Sequence, residues 1–155
     1  MARIVIAKVA LMVGLSGCAA TALAQPSYTE VTPGGSAASA STNDGNLPAN
    51  TLDNDLATRW SGQGDGHWLQ YDLGASHVVA YLTIASYSGN TRRARFDIQV
   101  SDDGATWNTV WVGQSSGSTT AQEMYEIADV TARYIRLLGH GNSCLLYTSP
   151  SPRDS

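Results

Sequence analysis

Two carboxylates, a hydroxyl and an arginine–tryptophan pair lie together in the stretch TLDNDLATRW, residues 51–60. Asp53 and Asp55 are poor candidates for glycosidase acid/base chemistry, because such carboxylates face each other across a cleft, about 5 to 9.5 Å apart. An EF-hand is excluded too, since it needs an oxygen ligand and then glycine where this chain has Ala57 and Thr58. Spacing alone leaves two interpretations, a loose oxygen-rich calcium loop and a capped, solvated turn, of which the turn is the simpler.

A second group of candidate ligand-binding side chains lies in YSGNTRRAR, residues 87–95, where Tyr87 and Asn90 precede Arg92, Arg93 and Arg95. Half of the basic residues between positions 26 and 143 are gathered here. The planar guanidinium group suits a carboxylate, because it donates two parallel hydrogen bonds. An anion-binding loop and a solvated hairpin loop both fit this pattern.

The stretch GHGN, residues 139–142, contributes His140 and Asn142 as further candidates, although a histidine in a loop is the simplest interpretation. Gln63, Asp65 and His67 in GQGDGHW are weaker candidates. The glycines of that run lead into a strand and not into a helix, so they are not a phosphate cradle.

Catalysis is not expected from residues 26–143. This part of the chain has no cysteine and no serine-centred elbow, and no pair among His67, His77 and His140 has metal-ligand spacing. We therefore predict that the chain as given is not an enzyme. A longer gene product could carry one, such as a polysaccharide lyase.

The N-terminus predicts export. Residues 1–24 have basic residues, an apolar run too short to span a bilayer, and small residues after it, as a signal peptide does. Cleavage before Gln25 competes with a lipoprotein signal that ends before Cys18, whose lipidation would give the only membrane contact we expect. Residues 25–29 are predicted to be a linker. The protein is expected to be extracellular, periplasmic or an outer-membrane lipoprotein of a bacterium.

The C-terminus, residues 143–155, reads SCLLYTSPSPRDS and has no strand or helix pattern. Reverse translation of CLLYTSPSPRD can give a sequencing-library transposon adapter. We predict that this tail is not native and that the gene continues past Ser143. A flexible C-terminal tail is the alternative.

The intervening residues 30–142 predict one all-β domain. Short runs with β-like alternation, such as HWLQYDLG (67–74), HVVAYLTIASY (77–87) and ARFDIQVS (94–101), are separated by turn signals. An Asp-Gly turn in SDDGATW predicts a hairpin, and LPANTLD could hold a turn or two of helix. Residues 26–143 carry 12 acidic residues and 6 arginines, a formal charge of −6, which argues against a nucleic-acid partner.

Four ordered motifs within these residues resemble the discoidin, or coagulation factor V/VIII type C, superfamily. They are D-x-x-x-x-T-R-W from Asp53, W-x-x-x-D-L-G from Trp68, S-x-D-G-x-x-W from Ser101 and A-R-Y-I-R from Ala132. The sequence is most similar to family 32 carbohydrate-binding modules attached to bacterial alginate lyases and related enzymes. This resemblance implies a jelly-roll β-sandwich, galactose-binding-domain-like, which would here lack its last strand.

The resemblance also implies a structural calcium ion at residues 51–58. Asp53 would supply a carboxylate, Thr58 its hydroxyl and carbonyl, and Thr51, Leu52 or Asp55 backbone oxygens. Arg59 and Trp60 would be architectural, with the indole buried and the guanidinium tied to backbone or carboxylate. The family's closing strand usually adds a glutamate that is missing here, so the site is expected to be incomplete.

For the ligand, the resemblance implies a polysaccharide or glycan, and the arginines favour a uronate polymer such as alginate. The implied contact residues are Tyr87, Asn90, Arg92, Arg93, His140 and Asn142. The module would be linked to a downstream catalytic domain. The alternative is a cell-surface adhesion or lectin-like domain with no enzyme attached.

Overall fold

The computed structural model describes residues 3–14, 28–31 and 33–144. Cys18 lies outside them, so its predicted lipidation stays a prediction, and so do the cleavage site and the origin of the tail. No helix in these residues is long and apolar enough to cross a membrane.

The described chain is built from eight strands and two short 3-10 turns, which confirms the all-β prediction. The turns are Gly35–Ala37 and Pro48–Thr51, the second within the stretch that was expected to hold a little helix. The strands are β1 (Arg3–Gly14), β2 (Tyr28–Val31), β3 (Ala38–Ala40), β4 (Trp60–Gln63), β5 (His67–Ser86), β6 (Arg92–Ser101), β7 (Asn108–Gln114) and β8 (Gln122–Cys144). All of their pairings are antiparallel.

Two long strands, β5 and β8, form the centre of the fold. They pair from His67 with Gly139 to Ala85 with Gln122, and the pairing register shifts between Asp72 and His77. Runs that the sequence separated are therefore continuous strands that bend. The first half of β5 joins β3, and the second half joins β1.

Alternation along the strands decides which side chains enter the core. In β6, Phe96, Ile98 and Val100 are buried, as their spacing predicts. Phe96, Trp111 and Tyr125 form an aromatic trio whose ring centroids are 5.0 to 5.3 Å apart, which joins β6, β7 and β8 in one core.

The predicted hairpin between β6 and β7 is confirmed by their pairing. Its turn is held by Asp103 Oδ1, which accepts the N–H groups of Ala105 and Thr106, each at 2.8 Å. The backbone N–H groups of Thr106 and Ala105, with the Ser101 hydroxyl, lower the pKa of the Asp103 carboxyl to about 2. The carboxylate thus caps the turn.

Strand β1 lies within the segment predicted to be an export signal. It pairs with β2, β4 and β5, so it fills a position beside the second half of β5. Because processing is a separate event from this pairing, the signal peptide stays a prediction.

Candidate functional site

One end of the molecule collects all six predicted sugar-contacting residues. The turn after β5, the start of β6 and the end of β8 meet here, since Arg92 pairs with Cys144 and Ala94 with Asn142. The six residues are Tyr87, Asn90, Arg92, Arg93, His140 and Asn142. The prediction that they lie in two loops is wrong in part: only Tyr87 and Asn90 lie in a turn, while β6 begins at Arg92 and β8 runs through His140 and Asn142.

Tyr87 and Asn90 line a small cavity of about 190 Å³. Its other lining residues are Leu56, Ser86, Ser88 and Thr120. The Ser86 hydroxyl is buried and has no hydrogen-bond partner among the described residues. The guanidinium carbon of Arg59 lies 4.2 Å from the centre of the Tyr87 ring, so Arg59 contacts an aromatic face, where a backbone or carboxylate partner was expected.

The three arginines of β6 carry positive charge that no described acidic residue neutralises through an ion pair. Arg93 Nε donates a hydrogen bond to the Ser116 carbonyl at 3.1 Å. Arg133, near the opposite end, is different: its Nε and one terminal nitrogen donate to the two oxygens of Asp72, both at 2.9 Å. Arg92, Arg93 and Arg95 thus make this end of an acidic domain locally basic.

His140 and Asn142 have different environments. Both ring nitrogens of His140 contact carboxylates, Nδ1 with Asp65 Oδ1 at 2.9 Å and Nε2 with Asp97 Oδ2 at 3.1 Å. The hydrogen bonds with Asp97 and Asp65 raise the pKa of His140 above its ordinary value of 6.5. Both polar atoms of the Asn142 amide are buried without a partner among the described residues.

Asp97 is the residue that sequence reasoning missed. Alternation along β6 places Asp97 on the face opposite to Phe96 and Ile98, and Asp97 pairs with Leu138 of β8. Its contact with His140 depends on the register between these two strands, which are distant in the sequence. Only that register brings Asp97 beside His140.

The segment from Asn50 to Thr58 brings four oxygens together at the predicted calcium site. The Thr58 hydroxyl lies 2.6 Å from Asp53 Oδ2 and 3.1 Å from the carbonyl oxygens of Asn50 and Asp55. One hydroxyl hydrogen can be donated to only one of these three acceptors. The excess of oxygen around one point fits a hard cation such as calcium, which prefers carboxylate, carbonyl and hydroxyl oxygens.

The backbone oxygens of Thr51 and Leu52 stay predicted ligands, and the structure shows what other groups of these two residues contact. The Thr51 side chain is buried, with its hydroxyl 2.7 Å from the Pro48 carbonyl and 2.8 Å from the Tyr71 hydroxyl, while the N–H of Leu52 donates to the Ala49 carbonyl. Two backbone oxygens lie beside the Thr58 hydroxyl, that of Asp55, which was predicted, and that of Asn50, which was not. In the described residues no three His, Cys, Asp or Glu side chains form a metal-binding group, so a bound ion would depend on neutral oxygens. Trp60 is fully buried, as expected for an architectural residue, and its Nε1 donates to the Thr42 carbonyl at 2.9 Å.

Several solved structures are similar to this chain. The CBM32 of AlyQ in complex with 4,5-unsaturated mannuronic acid is 46% identical, with a TM-score of 0.68 over 69% of this chain and 83% of that one. A truncated AlyQ with CBM32 and alginate lyase domains matches equally well, and this chain spans only 28% of it. A pectin-binding carbohydrate-binding module is 32% identical, with a TM-score of 0.65 over 68% of this chain and 78% of that one.

More distant structures share the fold alone, such as the family 32 CBM from C. perfringens NanJ in complex with galactose, 15% identical with a TM-score of 0.58 over 68% of this chain and 85% of that one. A comparison with curated proteins gives no match. The fold is the discoidin-like β-sandwich that the motifs implied. Residues 36–148 match the F5/8 type C domain, most of the chain, and the protein therefore belongs to that family.

Proposed function

We propose that this chain is a non-catalytic carbohydrate-binding module that holds an exported bacterial enzyme on a polysaccharide. The observation that carries the proposal is the group of Arg92, Arg93 and Arg95, which are free of ion pairs with described residues, at the end that also holds the Tyr87 cavity. The similarity to modules described as bound to an unsaturated mannuronic acid and as pectin-binding supports it.

The ligand that we propose is a uronate polymer such as alginate. A guanidinium group can donate two hydrogen bonds to a uronate carboxylate, and the Tyr87 ring can contact the apolar face of a sugar. A single shallow site binds weakly, so the module would act by tethering, which raises the concentration of substrate near the linked enzyme.

The test is retention of the purified protein on immobilised alginate. We expect Arg92→Ala with Arg93→Ala to weaken retention at least tenfold, since a hydrogen bond to a charged group contributes about 1.5–3 kcal/mol. The melting temperature should change little. Arg92→Lys with Arg93→Lys, which keeps the charge but not the planar fork, should recover only part of the binding.

Arg133→Ala is the matched control, because it removes an arginine remote from the Tyr87 cavity. If the double alanine variant is retained like the parent, the site lies elsewhere. If Arg133→Ala loses retention equally, the protein binds polyanions through its arginines without a specific site and the proposal is wrong.

We also propose that calcium binds between Asp53, Thr58 and the carbonyls of Asn50 and Asp55, where it would pin the loop. Its role would be structural. Asp53 Oδ1 also accepts the N–H of Asp55 at 2.9 Å, so this side chain organises the loop in either state.

Asp53→Ala should therefore lower the melting temperature and abolish its dependence on calcium. For the parent, calcium at about 100 times its Kd should add about 2.7 kcal/mol to the free energy of unfolding. Differential scanning calorimetry with calcium and with chelator measures both. A calcium-dependent shift that persists in Asp53→Ala would place the ion elsewhere, whereas Asp102→Ala, in the β6–β7 turn, should leave the shift intact.

A further inference from the structure

His140 is held between two carboxylates that belong to different parts of the chain. Asp65 lies in the turn between β4 and β5, and Asp97 lies on β6. Ionised carboxylates only accept hydrogen bonds, so both ring nitrogens of His140 must donate. A neutral imidazole has one donor, whereas the imidazolium ion has two. The arrangement is therefore complete only when His140 is charged.

The two carboxylates differ in exposure. The Asp97 side chain is 17% exposed, and its Oδ1 is buried without a partner among the described residues, whereas the Asp65 side chain is 74% exposed. Asp97 is thus the inner, fixed partner of His140, and Asp65 is the outer partner that faces solvent at the rim of the candidate site.

The turn that carries Asp65 has two glycines in the left-handed region, Gly64 with φ +113° and Gly66 with φ +81°. The Gly66 N–H donates to the Gly139 carbonyl at 2.9 Å, which ties the base of the turn to β8. The flanking glycines leave the tip free to adopt other backbone conformations. His140 supplies the side-chain hydrogen bond that holds the Asp65 carboxylate, to which the Gly66 backbone and the charge of Arg95 add smaller contributions.

We propose that Asp65 binds hydroxyl groups of the glycan and that His140, anchored by Asp97, is the positioning residue that holds Asp65 in place. This inference rests on the proposed function and adds a second kind of contact to the arginines. The ring nitrogens of His140 are already used, so His140 does not itself hydrogen-bond the sugar, contrary to the role the resemblance implied. The Asp65 Oδ1 atom faces His140, so the second carboxylate oxygen, Oδ2, can accept hydrogen bonds from sugar hydroxyl groups.

The positions of the charged side chains favour one orientation of the bound sugar. A uronate carboxylate is attracted to Arg92 and Arg93 and repelled by Asp65, whereas sugar hydroxyls can donate to Asp65. We therefore infer that the acidic edge of the sugar lies over the start of β6 and that its hydroxyl edge lies toward the β4–β5 turn.

The pH dependence follows from the groups that face His140. They are Asp97 from β6 and Asp65 from the β4–β5 turn, and the charge of Arg95 on β6 acts on Asp65. His67, at the start of β5, has its ring nitrogen Nδ1 3.3 Å from the Ser41 hydroxyl. We call the arrangement of charged His140 between Asp65 and Asp97 the clamp. Because the pKa of His140 is raised, the clamp is intact below about pH 6.5 and is lost as pH rises through the raised pKa. The hydrogen bond from His140 lowers the pKa of Asp65, so Asp65 remains ionised into the acid range. Binding should be constant at mildly acidic pH and weaken at alkaline pH.

The experiment is calorimetric titration of the full chain with alginate oligosaccharides at about pH 6 and about pH 9, with NMR titration of the His140 ring in the free protein. Asp65→Asn should weaken binding at about pH 6 by about tenfold. His140→Gln should weaken it similarly and remove the alkaline decrease. Asp97→Asn should leave binding at low pH measurable but move the decrease to lower pH. His67→Gln is the control and should resemble the parent.

Three outcomes would overturn the inference. If Asp65→Asn binds like the parent while the Arg92/Arg93 alanine variant does not, the proposed function holds and Asp65 is not a contact. An ordinary pKa for His140 by NMR would remove the clamp whatever the ligand. If the parent binds no acidic oligosaccharide, both the proposed function and this inference fail, even with a raised pKa.

Discussion

Arg136 shows at the scale of a single residue why charge alone does not identify a ligand site. Its guanidinium carbon lies 3.7 Å from the centre of the Trp107 ring and 4.6 Å from that of Trp68, and a terminal nitrogen donates to Gln70 Oε1 at 3.0 Å. The indole rings and the amide hold the guanidinium group in place, and its Nε is buried without a partner among the described residues. We interpret Arg136 as a structural residue and Arg92 and Arg93 as the residues available to a ligand.

Arg136→Lys should therefore destabilise the domain without changing retention on alginate. Lysine keeps the charge but loses the flat surface that packs between two rings, and a desolvated cation–π contact contributes up to about 2 kcal/mol. The free energy of unfolding in urea measures the loss. Arg95→Lys, at an exposed position of β6, is the control and should unfold almost like the parent. Equal unfolding of both variants would show that the rings add nothing.

At the scale of the elements, the turn from Tyr87 to Thr91 depends on one glycine. A Cβ at Gly89 would overlap the Thr119 carbonyl oxygen and lie 2.8 Å from that of Ser86. Both contacts are with backbone, which cannot rotate away. The turn is therefore packed tightly against the loop that precedes β8, and its shape sets the positions of Tyr87 and Asn90.

Gly89→Ala should displace this turn. We expect a loss of about 1–3 kcal/mol in stability, typical of overpacking, together with weaker retention on alginate. Gly34→Ala is the matched control, since a Cβ there meets no atom within 4 Å. Thermal unfolding and alginate retention of the two variants make the comparison, and normal retention by Gly89→Ala would show that the Tyr87 turn is not part of the site.

The elements also show what the sequence could and could not predict. Alternation correctly placed Phe96, Ile98 and Val100 in the core, because side chains of a strand point to opposite faces. The glycine turn signal at Gly74, with φ +79°, suggested two strands where β5 is continuous, since pairing with β8 on both sides carries the strand through the bend. A turn signal in a short stretch of sequence cannot show which distant strand pairs with the residues on either side of it.

For the candidate site, too, the sequence could predict one part and not another. The residue types were informative: Arg, Tyr, Asn and His at one end were identified from composition and resemblance. Their arrangement was not, because the pairing of β6 with β8 shifts register between Ala94 and Phe96. That shift, with the left-handed backbone of Gly141 at φ +86°, separates the environments of His140 and Asn142.

At the scale of the whole molecule, strand β1 links the predicted export signal to the stability of the fold, because β1 lies within residues 1–24 and pairs with three other strands. Its partners β2, β4 and β5 would each lose paired backbone groups if residues 1–24 were removed. An unpaired sheet edge invites association with other chains.

We expect a chain that starts at Gln25 to melt several degrees lower than the full chain or to associate. A loss of only 1 kcal/mol moves the melting temperature of a small domain by about 4–8 °C. Calorimetry and light scattering on the two proteins test this. Identical melting of two monomers would show that β1 contributes nothing to stability.

The long antiparallel pairing of β5 with β8 also determines when this protein can fold. Partners such as His67 and Gly139 are far apart in the chain, and β8 is the last strand among the described residues. Neither half of β5 gains its central neighbour until β8 has been synthesised. Domains dominated by such distant pairings fold in milliseconds to seconds. We expect the growing chain to have no stable intermediate that buries Leu69 or Leu82, so it would depend on chaperones until β8 is complete.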